Sequence, residues 1–173
     1  MEDIPNQTAD LWLKFEEVQT AYKVSGGTIR LTFPLKICLI LFFEDHLLPI
    51  KVGRKSYLLM ETPYYNPPIG LHDILKRIQQ KGYYPLLAHP ERYEYMSAKD
   101  YQILTDMGVL FQLNIPALSG MYGRGVRRKE EKLLKAKLYD FVECNVHSER
   151  YYQYIINSKI YNQIDICYKN YVM

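Results

Sequence analysis

Residues 84–93 read Tyr-Pro-Leu-Leu-Ala-His-Pro-Glu-Arg-Tyr (YPLLAHPERY), and the fold turns on this stretch. A short unbroken apolar run, Leu86-Leu87-Ala88, stops at a His-Pro pair, so it reads as a buried strand whose C-terminal end delivers an imidazole, a carboxylate and a guanidinium together. Upstream, Leu71, Ile74, Leu75 and Ile78 fall at helical spacing with Gly82 as the stop. Before that helix, Tyr57-Leu58-Leu59-Met60-Glu61 reads as another short buried strand, and Pro63, Pro67, Pro68 and Gly70 mark the loop between. Downstream, Ser97 with Asp100 three residues on is a capping-box signature for a helix running to Gly108. Val109 to Leu113 reads as a strand, Val126 to Leu138 as a charged helix with Leu133, Leu134 and Leu138 inward. Phe141 to Asn145 reads as a strand and Glu149 to Asn157 as a helix. Strand and helix alternate four times, which predicts an α/β fold of parallel strands with right-handed crossovers.

The first fifty residues lack this order. Thr8 to Tyr22 fits an amphipathic helix with Leu11, Phe15, Val18 and Tyr22 on one face. From Val18 to Phe43 there is no Asp or Glu, and the run over 25–43 has neither strand alternation nor helical period, so it is expected to find no defined place in a core.

The 173 residues suit one domain with one core. A net charge of +3 gives no case for nucleic acid as partner. Three cysteines, Cys38, Cys144 and Cys167, have no paired spacing, which points to reduced thiols in the cytoplasm and away from a thiolate zinc site. The first ten residues have no signal-peptide layout, and the apolar stretch from Leu31 to Phe43, interrupted by Pro34 and Lys36, is too short to span a bilayer, so no membrane insertion is expected.

In parallel α/β architectures the chemistry sits at the C-terminal ends of the strands. Here those ends carry Glu61, then His89 with Arg92, then Gln112 and Asn114, then Asn145 and His147. Glutamate and imidazole suit manganese, iron or zinc, and a guanidinium is the natural partner of a phosphate. Singly, each residue also has a plain structural reading: Glu61 as a solvated rim residue, His89 as a satisfied loop histidine, Arg92 paired with Glu91 or Glu94. Their coincidence at successive strand ends favours metal-assisted hydrolysis of a phosphate ester.

The run Leu86 to Tyr93 resembles the LAHPERY signature of the bacterial capsular-polysaccharide-type, manganese-dependent tyrosine-protein phosphatases of the polymerase-and-histidinol-phosphatase (PHP) superfamily. Tyr57 to Pro68 resembles that family's strand ending in a metal-binding Glu. Gln112-Leu113-Asn114 and Ser119 to Gly123 resemble its QLN and SG-x-YG stretches, and Val142 to His147 its GTDxH motif. The resemblance implies a distorted parallel β/α barrel of PHP type, incomplete in this chain, and a cluster of divalent metal, usually manganese. It implies Glu61, His89, His147 and Asn145 as metal positions, Arg92 and His147 as catalytic residues, and Arg92 and Tyr93 as contacts to substrate. The implied substrate is a phosphotyrosine protein, the tyrosine kinase of capsule or exopolysaccharide export.

The departures from that pattern are equally specific. No two histidines here lie two apart, so the family's opening His-x-His is missing, and Asn145 stands where the late motif has Asp. The chain is accordingly expected to be a truncated, degraded copy with impaired or absent activity. Residues 1–56 are expected to be a damaged, frame-shifted part of the same domain, 57–158 the β/α repeats and 159–173 a tail. Two other readings remain open at this point: a non-catalytic phosphoprotein-binding remnant, and a different PHP-type metal hydrolase acting on a sugar phosphate or an amide.

Overall fold

A computed structural model describes residues 49–143, the backbone of 37–38, and positions 16, 20 and 24. The chain divides into two compact units, Met1–Pro34 and Leu35–Met173. In the first, the three described positions, Glu16, Thr20 and Val24, are helical and exposed. The inward positions expected for a Thr8 to Tyr22 helix lie outside the described residues, as do Asn145, His147 and the Glu149 to Asn157 helix.

In the second unit the strands are β1 (Ile37–Cys38), β2 (Ile50–Val52), β3 (Lys55–Glu61), β4 (Tyr84–Ala88), β5 (Leu110–Asn114) and β6 (Phe141–Glu143), and the helices are α1 (Leu71–Gln80), α2 (Ala98–Asp106), α3 (Ile115–Leu118) and α4 (Arg124–Lys135). The sheet runs β1-β3-β4-β5-β6 with every one of these pairings parallel. This is the α/β fold of parallel strands that the alternation predicted, in the partial-barrel form that the resemblance implied.

Three features differ from expectation. β2 pairs antiparallel with the start of β3, Ile50 opposite Tyr57, because Gly53 (φ 60°) allows a tight hairpin that turns the chain straight back. β3 begins at Lys55, so the sheet takes in residues assigned by sequence to the damaged N-terminal part and the expected boundary at 56/57 cuts through a strand. Within the aperiodic run over 25–43, Ile37 and Cys38 form a strand in parallel register with Met60 and Glu61. The rest of that run lies outside the described residues. Hydrogen bonding to an existing strand edge places β1, and backbone pairing needs no side-chain period.

Side-chain alternation along the strands builds two layers. Leu58, Met60, Leu87, Phe111 and Leu113 face the helices and pack with Leu75, Ile78, Leu104 and Leu133. Tyr57, Leu59, Leu86, Ala88 and Phe141 pack on the other face. Each large side chain so buried contributes roughly 1.5–3 kcal/mol. Register places Ala88 beside Gln112, Gln112 beside Phe141 and Asn114 beside Glu143. The face that is apolar at the strand starts therefore turns polar at their C-terminal ends, where Glu61, Gln112, Asn114 and Glu143 stand.

Helix ends follow local chemistry. Ser97 accepts from the Asp100 amide while Asp100 Oδ2 accepts from the Ser97 N–H (2.7 Å) and Oγ (2.6 Å), the predicted capping box. These bonds hold the Asp100 carboxyl below its usual range. α1 stops before Gly82, whose φ of 84° favours a residue without Cβ.

Candidate metal and phosphate site

β3 and β4 are adjacent and parallel, and their C-terminal ends carry Glu61 and His89. His89 stands just past β4 with φ 37° and ψ 55°, a left-handed conformation rare for a residue with a side chain. Pro90 disfavours the ordinary helical alternative at the preceding residue, and the His89 N–H donates to the Gln112 carbonyl at 2.9 Å. Such a conformation costs of order 1–3 kcal/mol, offset here by the surrounding bonds. It turns the imidazole, wholly buried, onto Glu61: Nε2 lies 3.2 Å from Oε2 of the less buried carboxylate.

That spacing fits two donors to one divalent ion. With ligand bonds of about 2.1 Å meeting near a right angle, the donor atoms sit about 3 Å apart. Among the described residues no group of three or more His, Cys, Asp or Glu side chains is placed to hold an ion, so the described donors number two. Asn145 and His147, the other metal positions implied by the sequence, lie outside the described residues.

Arg92 closes the one-turn helix Pro90–Arg92 that follows His89. Its guanidinium carbon lies over two tyrosine rings, with the Tyr64 centroid at 4.2 Å and the Tyr122 centroid at 4.5 Å. Tyr64 also stands 6.0 Å, ring to ring, from His89 and so bridges the imidazole and the guanidinium. Cation–π contact holds the guanidinium without using up its N–H donors, and those donors are what a phosphate requires. Among the described residues Arg92 makes no ion pair. Glu91, the obvious sequence neighbour, is turned inward, where Oε2 accepts from the Tyr139 hydroxyl at 2.9 Å.

Tyr93, expected from the resemblance to contact substrate, has its hydroxyl engaged within the fold. It is wholly buried, its hydroxyl accepting from the Thr62 N–H (3.2 Å) and donating to the Ala88 carbonyl (2.9 Å). It ties the ends of β3 and β4 together beneath Glu61 and His89. Burial pushes its phenol well above the ordinary range, which keeps it a neutral donor. The rest of the loop is fixed in the same manner: Tyr101 donates to the Pro90 carbonyl at 2.9 Å, and Lys129 donates to the carbonyls of Tyr93 (2.7 Å) and Met96 (3.3 Å).

Beneath Arg92 lies a buried acid pair. Burial raises the Glu91 carboxyl to about 8. Glu130 on α4 is wholly buried, neither oxygen has a hydrogen-bond partner among the described residues, and burial, then the nearby Glu91 and Glu131, raises it to about 10. Both are shifted toward the protonated, uncharged form. Burial also pushes the Tyr139 phenol well up.

Sequence reasoning missed Tyr64 and Tyr122 as the clamp on Arg92, since ring stacking across loops leaves no spacing signal. Glu130 could have been found: Val126, Glu130 and Leu133 follow i, i+4, i+7, which puts Glu130 on the inner stripe. Asn114 is also wholly buried, with neither amide atom hydrogen-bonded among the described residues, at the polar end of the inner face.

Parallel strands, surrounding helices and polar side chains gathered at the strand C-termini define an α/β protein of the partial-barrel class. Its fold matches a chain from the crystal structures of YwqE from Bacillus subtilis and CpsB from Streptococcus pneumoniae, described there as metal-dependent tyrosine phosphatases. The TM-score is 0.51 and the identity 22%, over 68% of this chain and 54% of that one. The sequence model of the capsular polysaccharide synthesis CpsB/CapC family matches residues 40–165, and the chain belongs to that family. It is 27% identical to the Bacillus subtilis tyrosine-protein phosphatase YwqE over 101 residues, covering 57% of this chain and 40% of YwqE. It is 28% identical to Staphylococcus aureus CapC, named a candidate tyrosine-protein phosphatase, over 100 residues, covering 56% of this chain and 39% of CapC. The chain thus spans about two-fifths of the length of these curated relatives.

Proposed function

We propose that this chain carries the Glu61–His89–Arg92 portion of a metal-dependent protein-tyrosine phosphatase site and acts on a phosphotyrosine protein, the tyrosine kinase of capsule or exopolysaccharide export, in the cytoplasm. The observation that carries the reading is the convergence of Glu61 and His89, 3.2 Å apart at neighbouring strand ends, beside an arginine clamped between two tyrosine rings. Family membership and relatives that are tyrosine phosphatases support it.

In this reading Glu61 and His89 would hold a divalent cation, manganese, with His147 and Asn145 as the further positions that the family resemblance implies. Bound there, the cation supplies positive charge that polarises a phosphoryl group and makes water more acidic. Arg92 takes two phosphate oxygens along its planar edge. Tyr64 and Tyr122 keep that edge aimed, and Tyr93 and Lys129 keep the loop from shifting. Asn145 lacks the charge of a carboxylate, so the metal is held weakly and turnover is low or absent in the chain as it stands.

The test uses the whole 173-residue chain. Equilibrium dialysis against manganese should give at most one weakly held ion, lost in Glu61→Ala. Phosphotyrosine peptide should bind more tightly than its unphosphorylated form, and Arg92→Ala should abolish that difference. Asn145→Asp alone should restore little phosphate release. Robust manganese-dependent turnover by the unmodified chain would overturn the impaired reading, and failure to bind either manganese or phosphotyrosine would overturn the site itself.

A further inference from the structure

A second feature lies on the outside of the sheet, between α2 and α4. A groove of about 640 Å³ opens there, within the range of sites that take small molecules or peptide segments. Its floor is apolar, from Met96, Leu133 and Leu138, and its rim carries Arg128, Lys129 and Lys132. Every charged side chain that lines it, among the described residues, is basic. The acidic residues of α4 point elsewhere: Glu130 is buried, and Glu131 pairs with Arg127 at 2.9 Å. Arg128 and Lys132 are exposed and make no ion pair among the described residues.

The groove begins next to the Arg92 clamp. Tyr122 stacks on Arg92, and Gly125, three residues on, lines the groove. From the other side Met96, four residues after Arg92, lines it too, and Lys129 bonds to the Tyr93 and Met96 carbonyls between them. From there the groove follows α4 past Lys132 to Ala136 and Leu138. A twelve-residue helix is roughly 18 Å long, enough to lie alongside about five residues of extended peptide.

We propose that this groove docks the stretch of substrate polypeptide flanking the phosphotyrosine, and that this stretch is acidic with interspersed apolar side chains. The proposal rests on the phosphotyrosine reading of the Arg92 site for the direction in which the peptide runs. Charge complementarity selects the occupant: Arg128 and Lys132, exposed and without an ion-pair partner among the described residues, call for carboxylates, and the apolar floor calls for aliphatic or aromatic side chains. The groove then adds affinity for the protein around the phosphate, while Arg92 recognises the phosphate.

The experiment measures fluorescence anisotropy of labelled twelve-residue peptides with the whole chain. One peptide has a Glu- and Leu-containing flank beside tyrosine, one the same flank beside phosphotyrosine, and one has each Glu replaced by Lys. The acidic peptide should bind without phosphate. Its affinity should fall about tenfold in the double variant Arg128→Glu with Lys132→Glu, and steeply in 0.5 M salt. Ala136→Trp, at an exposed position, should fill the groove and weaken binding as much without altering charge, with circular dichroism confirming that each variant folds. Arg92→Ala should remove the gain that phosphate brings. If the groove dependence holds but phosphate brings no gain, the phosphotyrosine reading fails and the groove stands. If acidic and basic peptides bind alike, if none binds, or if the groove variants change nothing, the groove proposal is overturned. It is equally overturned if sedimentation shows a dimer that Ala136→Trp dissociates, which would assign the groove to a second copy of the chain.

Discussion

Replacing Glu130 by Gln should stabilise the protein, and by an amount that depends on pH. The Glu130 carboxyl is raised from an ordinary 4.5 to about 10 in the folded chain, chiefly by burial. At pH 7 the folded protein therefore holds a proton that the unfolded chain has released. The stability contributed by the neutral acid is fully present below pH 4.5 and is lost as pH rises toward 10. At pH 7 the loss spans the 2.5 units above the unfolded value, about 3 kcal/mol at roughly 1.4 kcal/mol per unit. Gln keeps the shape and has no proton to lose. Its extra N–H donor enters a place where Glu130 finds no hydrogen-bond partner among the described residues, which costs about 1 kcal/mol. The net gain should be about 2 kcal/mol at pH 7, larger at pH 8.5, and absent or reversed at pH 4. Urea unfolding of the whole chain at the three pH values measures it. Glu131→Gln is the control: Glu131 is only partly buried and pairs with Arg127, so its substitution should shift stability by less than about 0.5 kcal/mol with no comparable slope. A gain independent of pH, or none at pH 8.5, would show that Glu130 is not held protonated in the fold and would refute the reasoning.

The remaining predictions concern the loop and its supports. Tyr93→Phe leaves the Thr62 N–H and Ala88 carbonyl short of a buried partner, and thermal melts should show a loss of about 2 kcal/mol; a change under 0.5 would remove Tyr93 as the tie between β3 and β4. Tyr122→Leu strips one face of the Arg92 clamp and should weaken phosphotyrosine-peptide binding about fivefold with little change in Tm; unchanged affinity would mean that stacking does not aim Arg92. Ser97→Ala breaks the capping box and should cost about 1 kcal/mol, read as a shifted urea midpoint, with a neutral result assigning the start of α2 to packing alone.

The sequence by itself determined the β/α order, because short apolar runs bounded by Pro and Gly and one helical stripe after another are local patterns that chain periodicity imposes. It also brought Glu61, His89 and Arg92 forward, because parallel strands put their ends on one rim whatever the helices do. The Ser97–Asp100 cap was legible for the same reason, since both partners lie within one turn. The tertiary structure decided what depends on contacts between distant segments. Tyr93, read by resemblance as a substrate contact, is a buried tie because Thr62, thirty-one residues away, meets its hydroxyl. β1 found a strand edge that no side-chain period announced. Arg92 lies over two rings from separate loops, and the burial of Glu130, with no hydrogen-bond partner for its carboxyl among the described residues, raises its pKa. Periodicity fixes which way a residue faces along its own element. What it meets there depends on the other elements, and that meeting sets its protonation, its hydrogen bonds and its use.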